Sequence, residues 1–176
     1  MTRYEDMKGL PVVTMAEGKQ IGKIDDLIID PERKAIGWLR IHRGGVGSMG
    51  GERLWASTAA VHGIGEDAVT INAEADIRIP ADALEAAALV KAGRDVIGAK
   101  VMTENGARMG EVRSYEFDPI TFALTSLSVS PDMNTVGEML SIAGDRLLTI
   151  GEDMIVVATD AGGSEVMADL SNTLVA

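Results

Sequence analysis

A mostly β protein, two small β-barrels in tandem with a helical linker between them, is what this sequence predicts, and three observations predict it. The chain repeats itself, which is the first thing to look for in a sequence. Gly18, Gly22, Asp30, Pro31, Ala35 and Leu39 return 88 positions later as Gly106, Gly110, Asp118, Pro119, Ala123 and Leu127. After the next loop the offset is 86: Gly51, Glu52 and Leu54 match Gly137, Glu138 and Leu140, and Ile64-Gly65-Glu66-Asp67 matches Ile150-Gly151-Glu152-Asp153. One two-residue indel in a loop explains the change, and loops absorb such changes at low cost. Each copy also divides into short apolar runs between turn residues, about five strands to a copy, as in a small barrel or sandwich. Between the copies lies a stretch with a helix signature.

The elements follow in chain order. LPVVTM is a strand closed by a turn at Glu17-Gly18. GKIDDLIID is a longer extended run that ends at Asp30-Pro31, where Asp and Pro suit the first two positions of a type I turn. AIGWLRIH alternates, and a glycine-rich loop leads into the strand ERLWAS; DAVTIN is the last strand of the copy. The second copy repeats this with VIGAKVM, an Asn105-Gly106 turn suited to a tight hairpin, then MGEVRSYEF, FALTSLSVS, GEMLSI and MIVVAT. Gly22 and Gly110 stand where a strand begins after a hairpin, the place for a bulge or a close backbone approach.

In PADALEAAALVKAG, Pro80 suits a first helical turn, the middle is rich in Ala and Leu, and Gly93 suits a C-terminal cap. The expected organisation is therefore a first barrel at 1–72, a linker with a short helix at 73–95, a second barrel at 96–160 and a tail at 161–176.

Composition narrows the function classes. The chain has 176 residues, 46% of them hydrophobic, a proportion that folds rather than stays disordered. It has no cysteine, which removes disulfides, thiolate nucleophiles and cysteine-ligated metals together. No run of 18 apolar residues occurs and the N-terminus MTRYEDMKG has no signal-peptide stretch, so a cytoplasmic protein is expected. The formal charge of −11 divides as −1 over residues 1–72, −2 over 73–95 and −8 over 96–176. Such a balance repels polyanions and disfavours nucleic acid as the ligand.

The pattern G-x-x-[IM]-G-[KE]-[IV], with Asp-Pro about eight residues on and a hairpin running into I-G-E-D, resembles the PRC-barrel family. It stands here as Gly18, Gly22-Lys23-Ile24 and Asp30, and again as Gly106, Gly110-Glu111-Val112 and Asp118. The likeness covers about 9–72 and 96–159, as a tandem pair. These motifs are structural glycines and turns, so the resemblance speaks to fold more than to function. It implies a binding or assembly module rather than an enzyme, as in the cytoplasmic part of the photosynthetic reaction-centre H subunit. The leading expectation is a non-catalytic adaptor for a protein partner, with no cofactor. A peripheral membrane complex is compatible with it, although the chain lacks the transmembrane helix of the H subunit. The alternative is an RNA- or ribosome-associated maturation factor similar to RimM.

Candidate chemistry is sparse. Gly45-Val46-Gly47-Ser48-Met49-Gly50 fits G-x-G-x-x-G, but the dinucleotide fingerprint needs a helix next and a strand-like ERLWAS follows. A hairpin loop is the simpler reading. Asp25 and Asp26, adjacent on a strand, are expected on opposite faces, so they form no pincer. Glu66-Asp67 and Glu152-Asp153 read as turns. His42 and His62 are replaced by Ser130 and Leu148 at the aligned positions of the second copy, with no further metal ligands evident. No G-x-S-x-G elbow supports nucleophilic catalysis.

The best candidate is a face. If the hairpin through the glycine loop pairs residues whose numbers sum to 93, Trp38 opposes Trp55 and Arg40 opposes Arg53, with His42 beside them. Leu39, Ile41 and Leu54 then fall on the core side. The aligned face of the second copy is Ser126, Ser128, Ser130, Met139 and Ser141. Trp and Arg are the residue types most enriched at interface hot spots, so the first face is expected to be an interface: either an internal one, packed on the linker helix or the second barrel, or the site of a partner.

Overall fold

A computed structural model of the chain describes residues 1–44, 51–79, 84, 88, 96–131 and 139–162. The protein is mostly β, in two seven-stranded sheets. It opens with β1 (Thr2–Arg3) and one helical turn, α1 (Tyr4–Met7). The first sheet contains β2 (Pro11–Thr14), β3 (Lys19–Asp30), β4 (Ala35–Arg43), β5 (Glu52–Ser57), β6 (Val61–Ile64), β7 (Val69–Ile71) and β8 (Ile77–Arg78). The second contains β9 (Lys100–Thr103), β10 (Arg108–Phe117), β11 (Leu124–Ser130), β12 (Leu140–Ala143), β13 (Leu147–Ile150) and β14 (Met154–Val157), together with β1.

The strand order β6-β7-β2-β3-β4-β5 in the first sheet is the order β13-β14-β9-β10-β11-β12 in the second. In both, the first strand runs antiparallel to the next and parallel to the last, with Val12 beside Val69 and Val101 beside Ile155. Individual backbone bonds correspond as well. Gly9 N–H donates to the Ile24 carbonyl at 2.9 Å, and Gly98 N–H to the Val112 carbonyl at 2.8 Å. Asn72 N–H donates to the Ala60 carbonyl at 3.0 Å, and Ala158 N–H to the Arg146 carbonyl at 2.9 Å.

One strand in each half is not foreseen from the sequence. Val61–Ile64 and Leu147–Ile150 each follow a single 3-10 turn, at Thr58–Ala60 and Gly144–Arg146, and end at the I-G-E-D turn. Their brevity and mixed burial leave no clean alternation to read. Of the expected linker helix, Leu84 and Ala88 are helical and exposed; the rest of that segment lies outside the described residues, as does 163–176. Thr159–Gly162 form a short 3-10 turn.

The halves meet at one symmetric point. Ala35 and Ala123, equivalent positions in the repeat, form an antiparallel bridge with each other. Ile36 N–H donates to the Phe122 carbonyl at 2.9 Å, and Leu124 N–H to the Lys34 carbonyl at 3.0 Å. Exchanging the halves maps each bond onto the other. Lys34 (φ 50°) and Phe122 (φ 63°) are the non-glycine residues at positive φ among those described, and they too are equivalents. This is a conformation that side chains rarely adopt, held here by the junction.

A second tie is asymmetric. Thr2 pairs with Phe117 and Arg3 with Glu116, so the chain's first strand belongs to the second sheet. The Tyr4 ring lies 5.0 Å from Tyr115, and its hydroxyl donates to Asp26 Oδ1 at 3.0 Å. Ile36, Leu39 and Ile41 of the first sheet share one apolar core with Phe117, Leu127 and Ile155 of the second. Burial of that contiguous apolar surface is the main driving force joining the halves.

Candidate functional site

The candidate face lies on the outer side of β3, β4 and β5. Leu39, Ile41, Leu54 and Ala56 point inward and are fully or nearly fully buried, so Trp38, Arg40, His42, Arg53 and Trp55 point outward, as the alternation requires. The register differs from the one expected. Arg40 lies opposite Trp55, Trp38 opposite Ser57 and His42 opposite Arg53, so paired numbers sum to 95. A shift of two residues keeps every side chain on its face, so the hydrophobic pattern cannot detect it. Charge separates the two registers: the expected one sets Arg40 against Arg53, whereas the observed one sets Arg43 beside Glu52, at 3.4 Å. The second half takes the same register, with Leu127 opposite Ile142 and Ser128 opposite Ser141. The loop 45–50 lies outside the described residues.

Trp55, Ile28 and the half-buried Trp38 make a small apolar cluster separate from the main core. Trp55 is 7% exposed, and its Nε1 is buried without an acceptor among the described residues. Trp38 also lines an open groove of about 740 Å³ with the Asp30–Arg33 turn, Ala59, Ala88 and the Ile120–Phe122 turn. The groove draws on both halves and the linker, and no local sequence signal could have located it.

Arg40 is held in place. Its Nε donates to Asp25 Oδ2 at 2.7 Å and its Nη2 to Asp26 Oδ2 at 3.2 Å. Here the expectation of opposite faces is overturned: a register shift between Ile24 and Asp26 inserts an extra residue, and both carboxylates reach one guanidinium. His42 and Arg53 are exposed. Lys23, opposite His42 on β3, completes a row that the sequence reading missed, because its place depends on the same bulge.

The structural positions are built as follows. Gly22 sits at a register shift, where an added Cβ would stand 2.5 Å from the His42 carbonyl oxygen. Gly110, at φ 135°, sits at the corresponding shift with its missing Cβ directed at the Ser130 carbonyl. Gly18 (φ 61°) and Gly106 (φ 84°) close the two hairpins in the left-handed region. Asp30 Oδ1 accepts from the Glu32 and Arg33 amides at 3.0 and 3.2 Å, and Asp118 Oδ1 from Ile120 and Thr121 at 2.7 and 2.9 Å. Pro31 and Pro119 occupy the next position in each turn. The Thr121 amide, then that of Ile120, holds the Asp118 carboxyl below its ordinary value, since both favour the charged form. Among the described residues no three His, Asp or Glu side chains converge to hold a metal ion, and no helix is long and apolar enough to cross a membrane.

Short bulged strands, with a parallel pair joining the first strand of each half to its last, make up both sheets. Residues 1–78 match the model of the PRC-barrel domain, the family that this part of the chain is similar to. No curated protein matches the chain.

Proposed function

We propose that this chain is a non-catalytic, cytoplasmic adaptor that binds a protein partner, built from two PRC-barrel-like modules, the second formed by residues 96–160. The equal strand orders and recurring backbone bonds support the tandem reading. The PRC-barrel match over residues 1–78 supports an interaction or assembly role. The observation that carries the proposal is the Ile28–Trp38–Trp55 cluster: an apolar patch outside the core, on the outer face of one sheet only. The equivalent positions of the other sheet are serines: Ser126 for Trp38 and Ser141 for Trp55. A face required by the fold itself would be expected in both halves.

Trp38→Ser is the informative change, because Trp38 is half-buried whereas Trp55 is too enclosed to remove without structural cost. The adaptor reading expects a melting temperature near the wild type and loss of the protein that co-purifies with the chain from its native cell. A loss of several kcal/mol, on the scale of truncating a buried aromatic, with the partner retained, would make the cluster an internal contact. Salt-sensitive RNA in place of a protein would favour the maturation-factor alternative.

A further inference from the structure

The outer face carries a row of basic side chains with no acid paired to them among the described residues. Lys23 on β3, His42 on β4 and Arg53 on β5 are direct cross-strand neighbours. All three are exposed, while Ile24, Ile41 and Leu54 beside them in sequence are buried. None of the three makes a side-chain hydrogen bond or ion pair among the described residues. Other basic residues nearby are paired: Arg40 with Asp25 and Asp26, Arg43 with Glu52, Lys19 with Glu74. A chain with 27 acidic and 16 basic residues has no shortage of acids for such a position. The corresponding row of the second sheet begins with an acid, Glu111 opposite Ser130.

Two further features define what would fit. A shallow groove of about 440 Å³ beside the row is lined by Lys19, Lys23, His42 and Arg43, with no acid in its wall. Along the same face, Trp55 lies two residues from Arg53, and Trp38 beyond it. Neighbouring strands are about 4.8 Å apart, so the row spans roughly 10 Å; same-side residues of an extended peptide are about 7 Å apart, so two carboxylates fit it. Opposite charge on the row and an apolar group on the tryptophans would be satisfied by one occupant.

We propose that the row Lys23, His42, Arg53 receives an acidic segment of the partner, two or more carboxylates followed by an apolar side chain that reaches Trp38. This rests on the reading of the face as protein-binding and adds the partner's chemistry. Nucleic acid shares the negative charge but lacks the apolar anchor, and the −8 of the second half opposes an extended polyanion.

Trp38 and Trp55 are the chain's two tryptophans, so its indole emission reports on this face. The full chain is titrated with a synthetic peptide of alternating Glu ending in Leu, with its Gln analogue, with inorganic phosphate and with a ribo-oligonucleotide. The expected result is a saturable emission change for the Glu peptide, weakened by salt and about tenfold weaker with the Gln analogue or in Lys23→Gln/Arg53→Gln. Lys23→Glu/Arg53→Glu should instead take a Lys–Leu peptide. No response, equal affinity for the Gln analogue, or tighter binding of phosphate or oligonucleotide overturns the inference. If Trp38→Ser loses the native partner while the Glu peptide is ignored, the acidic segment is wrong and the adaptor reading stands. If the Glu peptide binds while Trp38→Ser keeps its partner, the adaptor reading falls instead.

Discussion

At Gly110 the missing side chain matters in two ways at once. Its φ of 135° is strained for any L side chain, and a Cβ there would run into the Ser130 carbonyl. Gly22 has only the second constraint, a carbonyl oxygen 2.5 Å from the Cβ position. Gly22→Val should therefore cost about 1–3 kcal/mol and Gly110→Val more, read from urea midpoints. An unchanged midpoint at Gly110 would contradict the assignment. Asp118 has a pH signature. Its folded carboxyl titrates below the ordinary value of 3.8, so its contribution is present above that value and disappears as pH falls through the lowered one. Asn keeps the acceptor oxygen but not the charge, so the stability gap between wild type and Asp118→Asn should close in acid, measured by denaturation from pH 7 downwards. These positions were legible in the sequence because Gly and Asp-Pro announce the backbone geometry they serve. Lys34 and Phe122 were not: neither residue type advertises positive φ, which the junction between the halves imposes on them.

Among the elements, β3 shows where pattern reading succeeds and where it stops. Its extended run was legible, but the buried Ile21, Ile24 and Leu27 stand three residues apart, a spacing that strict alternation does not give. The bulge between Ile24 and Asp26 left no mark in composition, yet it decides which charges meet. For the same reason the faces of β4 and β5 were legible while their register was displaced by two residues, a shift that period-two patterning cannot see. The Arg40 ion pairs tie β3 to β4, with side chains 23–37% exposed. Arg40→Ser, the residue found at the equivalent position 128, should cost about 1 kcal/mol after allowance for solvent screening. Part of that loss should vanish at high salt. A cost that is the same at low and high salt would mean that packing of the arginine stem, not the paired carboxylates, supplies it.

For the whole molecule, the two sheets share one core, one bridge between equivalent alanines, and an N-terminal strand that belongs to the second sheet. The repeat was readable from matched glycines and turns. The crossing of β1 was not, since a two-residue strand has no periodicity. The outer faces of the two halves differ, with tryptophan and arginine on one and serine on the other. Whether the first face meets another protein is tested most directly by photo-crosslinking in the native cell. A photoreactive phenylalanine derivative is placed at Trp38, and in a second strain at Ser126, its equivalent in the other half. The adaptor account predicts one defined intermolecular product from position 38 and none of the same mass from position 126. Adducts from position 38 confined to this chain's own linker or Ile120–Phe122 turn would contradict it.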